Sequence, residues 1–164
     1  MSECARLSDQ IRRAFEGHAW HGDSLVEILA DVDAKTAAAH PIKNAHSIWE
    51  LVLHIAAWDW SVLRRAEGSP GKVSSKQNFP VIEDKSEAAW QKAVEHAITV
   101  HGELVKAVAA FPDSRLMQRV PGKTSKHHTF FYNFSGIVQH ELYHAGQIAI
   151  LKKAAQFGTQ GHRG

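Results

Sequence analysis

Cysteine is nearly missing from this chain of 164 residues, where Cys4 stands alone. One thiol excludes an intrachain disulfide and leaves no sulfur-rich ligand set for a metal. A strong charge of one sign is missing too. Nineteen Lys and Arg against 17 Asp and Glu give a net charge of +2, too little to argue for nucleic acid or an anionic membrane surface as partner. No run approaches ~18 consecutive apolar residues, so no transmembrane helix is expected. The opening MSECARLSDQIRRAF lacks the apolar region of a secretory signal, which points to the cytoplasm. No internal repeat and no second domain stand out. What remains, 44% hydrophobic and 22% charged, is the balance of one soluble domain large enough to bury a core.

Periodicity divides that domain into four long or broken helical segments. The first runs from about Glu3 to Val32, bent or broken near Gly17 and Gly22 and restarted by a capping box, Ser24 with Glu27. Asp33 can cap a short turn across Ala34 to Ala39 that Pro41 ends. The second helix opens on another capping box, Ser47 with Glu50, and continues to Gly68. SPGKVSSKQNFP then reads as a loop, in a connection of about sixteen residues that exceeds an ordinary helix–helix link and could cross an end of the bundle or cover a site. The third helix spans about Ser86 to Phe111, before Pro112. Residues 113 to 129 are irregular, with weak pairing open between Leu116–Val120 and Thr129–Tyr132. The fourth helix covers about Asn133 to Phe157, leaving a flexible tail over 158–164. Long helices without a confident sheet predict an all-α four-helix bundle in a single domain, 1–157.

The chemistry lies in HELYH. His140 and His144 fall in an apolar stripe with Ile137 and Leu151, one turn apart on one helix face. A buried polar group without a partner costs roughly 1–3 kcal/mol, so two imidazoles in consecutive layers imply something that binds both. A divalent cation is the leading candidate. The run also matches the zinc-protease pattern H-E-x-x-H. That reading needs a downstream ligand, yet no Asp or Glu follows Glu141 and the only later histidine, His162, is in the tail. A third ligand must therefore come from another helix. His54, between Leu51 and Trp58, and His101, near Ile98, Leu104 and Val105, both face inward, and spacing alone does not choose between them. His21 could line a pocket mouth, and His127-His128 could form a loop site, although solvated surface histidines are the simpler reading. His18, His40, His46 and His96 carry no signal. Glu141 is the candidate general base beside a cation; the alternatives are a partner for an imidazole N–H or an exposed carboxylate. Trp58, Tyr143 and Gln147 are candidate pocket-lining residues.

Three segments carry a family resemblance: HSIWELVLHIAAWDWSVLRR (His46 to Arg65), QHELYHAGQIAILKK (Gln139 to Lys153) and FEGHAWHGDSLVEILADV (Phe15 to Val32). They resemble the DinB/YfiT-like superfamily of four-helix-bundle metalloproteins. The resemblance implies a bundle with a long crossover between helices two and three. It matches the family's metal histidines to His54, His140 and His144, and not to His101. It further implies a divalent metal ion, zinc or nickel with iron as another candidate, and a homodimer. A small-molecule substrate follows, with a low-molecular-weight thiol as one class. The activities implied are those of a metal-dependent hydrolase or a thiol S-transferase; a non-catalytic stress-response bundle is the alternative. Three neutral imidazoles with open positions suit Lewis-acid work on water or on a thiol. No substrate motif is present, so the reaction does not follow.

Overall fold

The computed structural model describes residues 1–158. Helix α1, Glu3–Glu16, starts where the Ser2 hydroxyl accepts from the Ala5 N–H, and it buries Leu7, Ile11, Ala14 and Phe15 as one stripe. Gly17 at φ 147° and His18 at φ 60° end it. The first predicted segment is thus broken at the glycines, and α2, Leu25–Leu29, restarts on the expected box: Ser24 Oγ accepts from Glu27 N, and Glu27 accepts from Ser24 N. Asp33 caps α3, Ala34–Ala37, through the Thr36 N–H at 2.8 Å. The second box, Ser47 and Glu50, opens α4, Ile48–Ala66.

The connection that follows is not all loop. Ser74 and Gln77 form a third capping box over a four-residue helix α5, Ser75–Asn78. Helix α6 covers Glu87–Ala109 behind a Ser86 cap. A 3-10 turn, Asp113–Arg115, and an isolated antiparallel bridge, Arg119 to Thr129, occupy the irregular stretch. The weak pairing is there in reduced form, because Phe130 already begins α7, Phe130–Gly158. That start lies three residues before the expected Asn133, set by Thr129, whose hydroxyl accepts from Tyr132 N at 3.1 Å and whose carbonyl accepts from Asn133 N. Helix α7 takes in Gly158, the first residue of the expected tail; 159–164 lie outside the described residues.

The described residues are therefore all-helical. Helix α4 packs on α6 and α7, and α1 packs on the same two, which closes a ring of four long helices. Among the described residues no helix is long and apolar enough to cross a membrane. The core is split in two. One apolar cluster gathers Phe15, α2, α3, the first half of α4 through Ala56, α6 through Ala97, and α7 from Ala145. The other joins α1, α4 from Val62, α6 from Leu104, and α7 through Ile137. Between them the three longest helices carry a belt of polar side chains: His54, Asp59 and Ser61 on α4, His101 on α6, and His140, Glu141 and His144 on α7.

Candidate metal centre

Helix α4 supplies His54 from its second turn, and α7 supplies His140 and His144 one turn apart. The three imidazoles converge, each offering a nitrogen within 4.8 Å of the others. Ring centres are 5.0 Å apart for His54 and His140, 4.7 Å for His54 and His144, and 4.5 Å for His140 and His144. The tightest approach is nitrogen to nitrogen, His54 Nε2 to His140 Nε2 at 3.0 Å. Of the two candidates for a third ligand, the structure brings His54 to the pair and leaves His101 elsewhere.

The outer nitrogens show which lone pairs are free. His54 Nδ1 lies 3.2 Å from the Asn78 carbonyl, which can only accept, so Nδ1 carries the proton and Nε2 turns a lone pair inward. His144 Nδ1 lies 2.6 Å from Gln147 Oε1, which fixes the same tautomer. His140 Nδ1 is buried without a partner. A shared proton can satisfy one His54–His140 contact but leaves the His144 lone pair facing it. A cation accepts all three. Two nitrogens on one tetrahedral zinc are roughly 3.4 Å apart, close to the spacing here, so the donor set fits a divalent ion. Burial pushes the pKa of each ring down, His140 to about 3, and the neighbouring imidazoles add to this for His54 and His140. All three are neutral at pH 7, the form that ligates.

The connection after α4 closes one side. Phe79 is stacked on His54 at 4.5 Å and on His46 at 3.8 Å, and Asn78 Oδ1 accepts from Trp58 Nε1 at 2.9 Å. Phe79 and Asn78 thus lay this connection against the three histidines. Sequence gave no signal for His46, which enters through this stack, nor for Asn78, which acts through a backbone carbonyl that any residue possesses. Openings remain on two sides. A cavity of about 990 Å³ reaches His140 and is lined by Trp58, Tyr143 and the His127-His128 turn, and a second of about 470 Å³ reaches His144, His46 and Gln147. His21 lies apart from the centre, beside α1 and the far side of α7.

Glu141 is placed otherwise than a general base at this centre requires. Successive helix residues point about 100° apart, so with His140 facing the cluster, Glu141 turns into the core and is 0% exposed. There it meets Asp59 and His101, both also fully buried, in a second group of ligand-type side chains. His101 Nδ1 is 3.1 Å from Asp59 Oδ2 and 3.2 Å from Glu141 Oε1, and its ring stacks on Phe15 at 4.0 Å. Burial, then the Asp59 charge, raises the Glu141 carboxyl to about 8, and burial raises Asp59 as well. For His101 burial acts downward, but its two carboxylate partners outweigh it and lift the ring to about 9. These shifts coexist when His101 is protonated, one carboxylate is ionised and the other keeps its proton, giving a neutral core group. Asp59, inside the apolar stripe of α4, is the sign of this group that the sequence carries.

An all-helical frame with three inward histidines on facing helices defines a class: helical proteins with a candidate imidazole-only cation site. The particular family follows from comparison. The sequence model of the DinB superfamily matches residues 18–148, and the chain belongs to that superfamily. No curated protein and no solved structure matches it.

Proposed function

We propose that the chain is a DinB-type metalloenzyme: a single-domain four-helix bundle, with the connection between α4 and α6 as its crossover, holding one divalent cation, zinc or nickel, on His54, His140 and His144. The observation that carries this reading is the inward meeting of ring nitrogens, 3.0 Å apart for His54 and His140, with the outer nitrogens of His54 and His144 anchored. Asn78 and Gln147 hold two rings in the tautomer that ligates. Phe79 and Trp58 screen that side from water, while the cavity at His140 admits a small molecule. A bound cation would supply Lewis-acid chemistry toward an oxygen or sulfur of that molecule. Hydrolysis, or transfer of a low-molecular-weight thiol, is the reaction class this supports, in a homodimeric protein. Glu141 has no proton-transfer role in this reading.

A structural cation tying α4 to α7 is the second reading, favoured by the low exposure of His54 and His144, 7% and 8%. Elemental analysis of protein purified without an affinity tag tests the site. Near one ion per chain is expected, and His140→Ala should lose most of it; undiminished metal in that variant refutes the site. Turnover of simple esters or thiol adducts by metal-loaded protein, absent from the metal-free form, separates enzyme from structural bundle.

A further inference from the structure

The large cavity beside His140 has a charge pattern of its own. Its lining includes Arg65, Lys123 and Lys126 and contains no Asp or Glu. A nearly neutral chain has thus placed three basic side chains around one opening, and a recess lined by one sign concentrates ions of the other. Arg65 is the unusual member. It is 8% exposed, yet its partners are two neutral oxygens: Asn133 Oδ1 at 2.7 Å and the Pro70 carbonyl at 3.3 Å. Among the described residues no carboxylate pairs with it. A buried charge without a counter-charge is costly, and a guanidinium fork is shaped to take a carboxylate or phosphate with two hydrogen bonds. On the same walls, His128 Nδ1 and His140 Nδ1 are buried with no hydrogen-bond partner.

Distance links this charge to the candidate centre. The Arg65 guanidinium carbon and the His140 ring centre are each 5.9 Å from the Trp58 ring centre. They are therefore no more than about 12 Å apart, both beside the same indole. Phe131 and Tyr143 add apolar surface to the same cavity. We propose that the cavity binds a small organic anion whose acidic group pairs with Arg65, whose apolar body lies along Trp58, and whose other end reaches the three histidines. This rests on the reading of that centre as one that acts on a small molecule, and it names the substrate class: an elongated, amphipathic anion.

Calorimetry with 4-phenylbutyrate and its neutral counterpart 4-phenylbutan-1-ol tests it, on chelator-stripped and on zinc-loaded protein. The acid should bind stripped wild-type protein at least tenfold more tightly than the alcohol. Arg65→Met should abolish that preference while leaving the alcohol's affinity and the metal content unchanged. Equal affinity for acid and alcohol in wild-type protein would overturn the proposal. So would a preference that needs zinc and survives Arg65→Met, since the carboxylate would then sit on the metal. Failure of the metal reading looks different: His140→Ala keeps its metal, whereas the acid preference of stripped protein still depends on Arg65. If Arg65→Met does not fold by circular dichroism, Arg65→Lys asks the same question. Its point charge should cost the acid several-fold and the alcohol nothing, and an unchanged acid affinity would overturn the proposal. Inorganic phosphate competing as well as 4-phenylbutyrate would also overturn it, because the apolar body would then contribute nothing.

Discussion

Gly71 shows how one residue fixes the wall behind the Arg65 charge. It adopts φ +53°, and a Cβ there would lie 2.2 Å from the Ser61 carbonyl oxygen and 3.1 Å from Arg65 Cγ. The Gly71 carbonyl in turn accepts from the Ser61 hydroxyl at 2.5 Å, so the chain after α4 is strapped against the helix it has just left. Gly71→Ala has to bear the left-handed conformation, roughly 1–2 kcal/mol, and an overlap with backbone that cannot swing away, roughly 1–3 kcal/mol. Urea unfolding should show a loss of roughly 2–5 kcal/mol; a change within about 0.5 kcal/mol, the range of an unremarkable surface substitution, would show that the strap is not tight. Arg65 itself stands in the last turn of α4 at the end of an apolar stripe, and nothing in its local sequence marks it as buried. Its hydrogen-bond partners, Pro70 and Asn133, are joined to it by no local pattern.

At the scale of elements, capping boxes were the most readable signal. Ser24 with Glu27 and Ser47 with Glu50 each announced a helix start that the structure contains, because a box satisfies two backbone donors within four residues and needs no distant partner. The same chemistry in Ser74 with Gln77 gives no readable signal, since four residues of helix leave no periodicity to support it. The site divides along the same line. His140 and His144 declare themselves by breaking an apolar stripe, whereas spacing leaves His54 and His101 equal, because both are inward on helices whose relative rotation is set by packing; the family resemblance points to His54, and the structure brings that ring to the pair. The connection carrying α5 acts on the centre through Phe79, stacked between His46 and His54. Phe79→Ala removes that cover and loosens the residue preceding it, whose carbonyl anchors His54. Partners of ligating histidines typically matter 10–100-fold in affinity, so bound zinc should pass to a competing chelator about tenfold faster, with stoichiometry unchanged. An exchange rate equal to wild type would mean that the connection does not guard the site.

Across the whole molecule, two apolar clusters enclose a polar belt in which the two groups of buried side chains respond oppositely to pH. His54, His140 and His144 have folded pKa values below those of the unfolded chain. Below about pH 6.5 the unfolded state therefore binds more protons, and metal-free protein loses stability as pH falls. His101 is the reverse case, raised to about 9: its contribution is complete below the unfolded value of about 6.5 and fades as pH rises through 9. Glu141, raised to about 8, acts in the same direction as His101. Chelator-treated protein should thus be most stable between about pH 6 and 7 and lose stability on the order of 3 kcal/mol between pH 7 and 9. Asp59→Asn/Glu141→Gln removes both carboxylates, so burial alone then governs His101 and keeps it neutral. Urea unfolding of that variant should give a nearly flat profile above pH 7. Wild-type stability that holds constant or climbs from pH 7 to 9 would mean that the core group enters the folded state without taking up protons, and the neutral arrangement assigned to Asp59, His101 and Glu141 would fall with it.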